Sequence, residues 1–294
     1  MGEKYFFKNL IGNFVFDENG CLVGKGEKGK EIEDIKIKKK ILDYFKKEEF
    51  FRDFHEKNLL LSKKKIKEVT KRDLLIIHSV NVIKEADKVI NSLAKRLREW
   101  YEIYAPEASY AIEDHKKFVE LILKKGKKEL LSEINVKEDE SMGIDIEEKD
   151  LNAIMKLAEE VNRLYELRGN NEEYLKELMK DICPNILAIA GAQIGANLVA
   201  LAGSLERLAM LPASTVQLLG AEKALFRHIK NKRNLPPKYG ILHLHPLIVR
   251  HKRDMHGKIA RALADKISIA AKIDFFKGSF AGDGLKKGLE EKFK

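Results

Sequence analysis

A large apolar side chain returns every seven residues at Ile76, Ile83, Ile90 and Leu97, and Tyr104 extends the series by one heptad. Ser79, Ala86, Leu93 and Trp100 stand three positions after the first four of these. Such spacing predicts an a/d seam along one helix that ends near Pro106. A second seam passes through Leu151, Ile154, Ala158, Val161, Tyr165, Leu175, Met179 and Ile182, with Arg168 and Glu172 at seam positions. Between them the sequence predicts a shorter helix near Glu113–Lys125 and a polar turn over Lys137–Gly143. Two long seams joined this way fold back as an antiparallel coiled coil. The other reading is a pair of ordinary amphipathic helices in a compact bundle.

The flanking segments differ in kind. Residues 1–72 suggest a small α+β unit. Tyr5–Phe7 and Phe14–Phe16 are strand-like, Asn19-Gly20 is a hairpin signal before Cys21-Leu22-Val23, and a helix is expected over Lys38–Lys57. Residues 73–180 carry the coil, and 181–294 are helical in pattern apart from His243–Val249. The expected fold class is therefore mainly α, with a small α+β N-terminal domain, a long antiparallel coiled coil and an all-helical C-terminal domain. Ile182–Leu205 holds no charged residue and is long enough to span a bilayer. It also contains Pro184, Asn185, Gln193, Asn197 and three glycines, with Ala188, Ala192, Ala196 and Ala200 spaced by four. A buried soluble helix with a smooth packing stripe is the expectation, and a membrane span the alternative. Beyond it, Pro212 is expected to restart a helix capped by Ser214 or a neighbour.

The chain carries 56 Lys and Arg against 46 Asp and Glu, a net charge of +10. Residues 220–272 contain thirteen of the bases and three acids, Glu222, Asp254 and Asp265, so the whole excess lies there. A concentrated basic surface attracts phosphate and binds it in a salt-dependent way; the plainer reading is a solvated lysine-rich face. Gly220, just before Ala221–Lys230, is expected to leave backbone N–H groups free at a helix N-terminus, which suits a phosphate. Lys38-Lys39-Lys40 and Lys63-Lys64-Lys65 read as solvated faces, and Trp100 and Tyr104 as core.

Enzyme chemistry finds little purchase. Cys21 and Cys183 match no metal or redox spacing and suggest a reduced, cytosolic setting; the N-terminus does not read as a signal peptide. His243 and His245 would share one face of a strand, as two metal ligands do. No carboxylate or cysteine accompanies them at a ligand spacing, and Arg250, Lys252 and Arg253 would repel a cation. No metal site is expected. Polar or stacking contact with RNA is the expectation for these histidines, with packing favoured for His243. Gly191-Ala192-Gln193-Ile194-Gly195-Ala196 lacks the preceding strand a dinucleotide loop needs, and no nucleophile stands with a base.

Leu211-Pro212-Ala213-Ser214-Thr215-Val216-Gln217-Leu218-Leu219-Gly220-Ala221-Glu222-Lys223-Ala224-Leu225-Phe226 closely resembles the Nop domain family, as does Gly257-Lys258-Ile259-Ala260-Arg261-Ala262-Leu263-Ala264. Arg96-Leu97-Arg98-Glu99-Trp100-Tyr101 with Ala105-Pro106-Glu107 is similar to the family's first coil helix, and Ser141-Met142-Gly143 to its inter-helix turn. At His256 the family usually carries arginine. The resemblance implies a non-catalytic scaffold of the archaeal box C/D guide particle for RNA 2′-O-methylation, in an archaeal cytoplasm. Its partners would be a fibrillarin-type methyltransferase, which holds the S-adenosylmethionine, a kink-turn-binding ribosomal-protein-like subunit and box C/D guide RNA. No cofactor would sit in this chain. The alternatives are a stand-alone RNA-modifying enzyme, or a splicing-type Nop-domain protein with no methyltransferase partner.

The expected RNA-binding residues are Gln217, Gly220, Ala221, Lys223, Arg227, His228, Lys230, Lys232, Arg233, Lys238, Arg250, Lys252 and Arg253. Glu222 is expected to face the protein partner, Arg261 to pair within its helix, and Ile76, Ile83, Ile90 and Leu97 to mediate self-association.

Overall fold

The structure, a computed structural model, describes residues 3–26, 29, 30, 32, 34–69 and 71–294. The chain forms two compact units, Met1–Lys71 and Arg72–Lys294.

In the first unit β1 (Tyr5–Asn9), β2 (Gly12–Phe16) and β3 (Leu22–Lys25) make an antiparallel sheet in the order β1-β2-β3. Both turns are held by one side chain each. Asn9 Oδ1 accepts from the N–H groups of Ile11 and Gly12 at 2.9 and 3.1 Å, and Asp17 Oδ1 from those of Asn19 and Cys21 at 3.0 and 2.7 Å. Gly20 takes φ +80° inside the second turn, which is why the Asn-Gly signal was readable. The expected helix over Lys38–Lys57 is instead two, α1 (Ile35–Tyr44) and α2 (Glu48–Val69). No Pro or Gly marks the break. Phe45 turns in at that point, its ring 5.0 Å from Phe14, 5.7 Å from Phe16 and 5.2 Å from Phe50, and burial of the aromatic overrides helical continuity.

The second unit begins with α3 (Asp73–Tyr101) and continues through α4 (Pro106–Ala111), α5 (His115–Lys124), α6 (Lys127–Glu133) and α7 (Glu148–Ile182). Helices α3 and α7 pack antiparallel: Ile76, Val80 and Ile83 share a core with Leu175, Leu178 and Met179, while Ala94, Leu97 and Tyr101 share one with Ile154, Ala158 and Val161. Ile76, Ile83, Ile90 and Leu97 are buried throughout. The partner positions drift, however: Ala94 and Tyr101 are buried where Leu93 and Trp100 were expected, and Trp100 is 41% exposed. An α-helix of 3.6 residues per turn slips about 20° per heptad against a 3.5 repeat, and the buried stripe follows the helix. Arg168, a seam impurity, pairs with Asp87 and with Glu172, the latter at 3.0 Å.

Helices α4–α6 fill the far end of this pair. Arg98 organises it, donating to the carbonyls of Ser109 (2.7 Å), Glu113 (3.0 Å) and Ile112, and to His115 Nδ1 (2.7 Å). Burial pushes the His115 imidazole down, and the Arg98 charge adds to it, which favours the neutral acceptor seen here. Glu107 accepts from Ser141 Oγ at 2.9 Å and from the Met142 N–H at 2.6 Å, so the two sequence motifs at this end touch. A Cβ on Gly143 would collide with the Tyr104 carbonyl.

The remaining elements are α8 (Pro184–Ala202), α9 (Leu205–Met210), α10 (Ala213–Leu218), α11 (Glu222–Lys230), α12 (Pro246–Val249), α13 (His256–Phe275) and α14 (Gly282–Lys292). Helix α8 is long and apolar enough to cross a membrane by length and composition, and it lies in the helical core, 56% buried. The four-residue alanine stripe is broken because Gly191, at φ 75° and ψ 167°, kinks the helix. Ala196 is buried, whereas Ala188, Ala192 and Ala200 are half-buried. Where His243–Val249 suggested extended chain, there is a 3-10 turn over Ile241–Leu244 followed by α12.

Candidate nucleic-acid interface

Local chemistry sets the frame around α11. Gly203, at φ +88°, ends α8. Ser204 Oγ caps α9 by accepting the Arg207 N–H at 3.0 Å. Pro212 occupies the N-cap of α10 with no side-chain cap bond, so the expected Ser214 cap is not formed. The reason is positional: Ser214 lies inside the first turn, beyond the cap. Gly220 adopts φ +87° between α10 and α11. Its N–H is not free for a phosphate, because Glu222 Oε1 accepts it at 2.7 Å. The carboxylate sits at the positive end of α11, and this local bond forms more readily than one to a distant group.

No residue of α11 is buried. Lys223, Arg227 and Lys230 line a shallow depression of about 440 Å³ together with Phe226. Phe226, Ile229 and Leu235 are 68%, 61% and 89% exposed. These three were missed in the sequence. The available signal was that apolar residues in Glu222–Lys230 fall on more than one helix face. The loop after α11 folds back on it: His228 Nδ1 faces the Asn234 carbonyl, and Asn234 Nδ2 donates to the Arg227 carbonyl at 3.2 Å. Gln217 Nε2 donates to the Lys238 carbonyl at 2.6 Å. Gln217 and His228, expected as polar contacts with RNA, are thus engaged in shaping the loop.

Lys223, Arg227, Lys230, Lys232, Arg233, Lys238, Arg250, Lys252 and Arg253 are all exposed. Among the described residues none of them pairs with an acid. Elsewhere exposed lysines and arginines do find carboxylates, as in Lys46–Asp43 at 2.7 Å and Arg163–Glu160 at 2.7 Å. A basic surface left uncompensated in this way can neutralise a polyanion without first breaking ion pairs. Arg261, expected to pair within α13, is also exposed with no acid partner among the described residues: Gly257 stands one turn before it, and Asp265, one turn after, forms no ion pair with it.

The histidines part company. His245 is 7% exposed, its Nε2 donating to the Ile189 carbonyl at 2.9 Å and its Nδ1 accepting the Leu247 N–H at 3.2 Å. That ring satisfies a carbonyl freed by the kink at Gly191. His243 is exposed, with Nδ1 donating to the Gly240 carbonyl at 3.0 Å. Packing, expected for His243, therefore belongs to His245, because the turn places only the latter towards α8. Among the described residues no three His, Cys, Asp or Glu side chains converge as metal ligands.

A family model described as the snoRNA binding domain, fibrillarin, of Nop type matches residues 82–294. An uncharacterised NOP5 family protein of Methanocaldococcus jannaschii is 41% identical over 269 residues, covering 86% of this chain and 64% of that one. Nucleolar protein 56 of Dictyostelium discoideum is 43% identical over 235 residues, covering 73% and 43%. The chain thus spans between under half and just under two thirds of the length of these curated relatives. A chain in the crystal structure of a fibrillarin/Nop5p complex matches with TM-score 0.50 and 25% identity over 98% of both chains.

Proposed function

The chain belongs to the Nop family, and on that premise we propose that it is the non-catalytic scaffold of a box C/D-type guide particle in an archaeal cytoplasm. It grips a kink-turn RNA together with a small kink-turn-binding protein, and it holds a fibrillarin-type methyltransferase that carries the S-adenosylmethionine. The observation that carries this reading is the set of nine exposed cations around α11 and the following loops, none with an acid partner among the described residues. Such a surface binds mostly through phosphates and RNA shape. The N-terminal unit is the methyltransferase-docking part. Phe51, Phe54 and Leu60 of α2, 69%, 42% and 65% exposed, supply apolar surface for it.

Self-association belongs to the coil, but by a different face from the one expected. Ile76, Ile83, Ile90 and Leu97 are buried against α7 within the chain. The face open to a second copy carries Leu75, Val82 and Val89 of α3, 42%, 42% and 44% exposed and seven residues apart, with Leu167 and Tyr174 of α7. At 100° per residue both sets fall on the side where Ser79 Oγ bonds the Asn171 carbonyl at 3.4 Å.

Binding of the purified chain to a labelled kink-turn RNA, with and without the kink-turn protein, across a salt series tests the reading. Binding to the preformed RNA–protein complex that weakens steeply with salt supports it. No binding in any combination overturns it.

A further inference from the structure

Three aromatic rings stand together beside the basic loops: Tyr239 packs against the helical core, His243 stacks on it, and His256 is tilted to it. We propose that Tyr239, His243 and His256 form a base-stacking platform, on which one unpaired nucleobase of the bound RNA lies against the exposed His243 ring. This rests on the RNA-binding reading above and deepens it, adding a base contact to a surface otherwise made of cations.

Tyr239 and His243 stand 6.4 Å apart at 24° between planes, a stacked pair, whereas Tyr239 and His256 are 5.9 Å apart and tilted by 58°. Tyr239 Oη lies 3.4 Å from His256 Nδ1, and His256 Nε2 donates to the His251 carbonyl at 2.8 Å. His243 is fixed by its bond to the Gly240 carbonyl. A carbonyl only accepts, so Nδ1 carries the proton and Nε2 is left as an acceptor. The His243 side chain is exposed while its position is set.

The mounting is rigid as well. Gly240 and Ile241 donate their N–H groups to the carbonyls of Gln217 and Leu219, both at 2.8 Å. A Cβ at Gly240 would collide with the Leu219 carbonyl, so the loop lies flat on α10. The Lys238 stem rests on α13, its Cβ and Cδ 4.0 and 3.9 Å from where a Cβ of Gly257 would stand. A lysine thus stands beside the rings, where it can meet the phosphate of a stacked nucleotide.

The surroundings select the ligand class. An exposed ring amid unpaired cations attracts a polyanion whose units also offer a flat π-face, which describes single-stranded RNA. Stacking on an imidazole tolerates any base, so the platform supplies affinity and register rather than sequence readout.

The test measures binding of the full chain, with the kink-turn protein present, to kink-turn RNAs in which each unpaired nucleotide is replaced in turn by an abasic one. His243→Ala is expected to weaken binding roughly five- to hundredfold, the range for loss of one base–aromatic stack. His243→Phe, which keeps a ring, is expected to stay within about threefold of the parent. One abasic substitution should weaken the parent as much as His243→Ala does and add nothing to the variant. Parent-like binding by His243→Ala, loss in His243→Phe equal to that in His243→Ala, or additivity with every abasic RNA would each overturn the platform. Those outcomes leave the salt-dependent binding of the parent intact, so they are separable from failure of the RNA-binding reading, in which the parent itself binds no RNA and both proposals fall.

Discussion

Asp274 Oδ1 accepts two hydrogen bonds from Asn185, from its backbone N–H at 3.1 Å and its side-chain amide at 2.7 Å. The other oxygen takes the Ile186 N–H at 2.9 Å, and Asn185 Oδ1 accepts from Ala281 at 2.7 Å. A carboxylate at the end of α13 therefore caps α8 just behind Pro184 and pins the start of α14. Asp274→Ala strands three buried donors and is expected to cost about 2–5 kcal/mol. In a unit of this size that lowers Tm by roughly 4–20 °C. Calorimetry checks this, and an unchanged Tm would show that the network carries no net stability.

The pH dependence of stability should carry the mark of His245. Burial holds its imidazole below the ordinary value of 6.5, with the bond to the Ile189 carbonyl opposing and Lys286 adding. The folded value lies under the unfolded one, so the unfolded chain binds more protons. Its contribution is whole above about pH 6.5 and is lost as pH falls through the folded value. Urea unfolding at pH 7.5 and 5.5 should show that loss in the parent, and a smaller one in His245→Asn.

Gly191→Ala separates backbone strain from packing. A Cβ there meets nothing within 4 Å, yet φ 75° with ψ 167° is a region almost confined to glycine. The expected destabilisation is about 1–3 kcal/mol, all of it conformational. A neutral result would mean that α8 straightens without loss.

The coil offers a comparison of two faces. Ile83→Asp places a charge in the α3/α7 core and is expected to melt the helical pair, read as lost ellipticity. Val82→Glu with Val89→Glu lies on the outer face and should lower the sedimenting mass while leaving ellipticity unchanged. Unchanged mass would place the interface between copies elsewhere.

Lys223→Ala and Arg227→Ala remove exposed cations with no acid partner, so folding should be unaffected. Each should lower RNA affinity and flatten the slope of log K against log salt by about 0.7–0.9. An affinity change without a change of slope would mean that they contact protein or base rather than phosphate.

The long pair α3/α7 was legible because a seven-residue repeat of Ile and Leu has few other folds open to it. Its edge was less so: Leu93 and Trp100 obey the heptad, yet Leu93 is only half-buried at the margin of the core and Trp100 is exposed, since a helix inside a single chain need not supercoil to match its sequence. The break at Phe45 and the kink at Gly191 depend on what packs around them, and in Ile182–Leu205 the decisive glycine is one of three. At the candidate interface, charge clustering pointed to nine cations that are exposed, while Arg261, expected to pair within α13, is exposed as well. Glu222 turning onto Gly220, and Gln217 and His228 turning onto their own loop, are local bonds that spacing does not announce.

Because the near end of α3 shares its core with the bundle around α8 and α13, the arm behaves as a ruler whose graduations are residues. Its 29 residues reach roughly 43 Å at about 1.5 Å each. Removing seven residues from each helix would draw the Arg98 cluster in by about 10 Å with its faces still in phase, whereas removing three would also swing it by about 60°. Length and heading at the far end are thus coupled, and a change of length keeps the heading only when it comes close to a whole number of turns, as a heptad does.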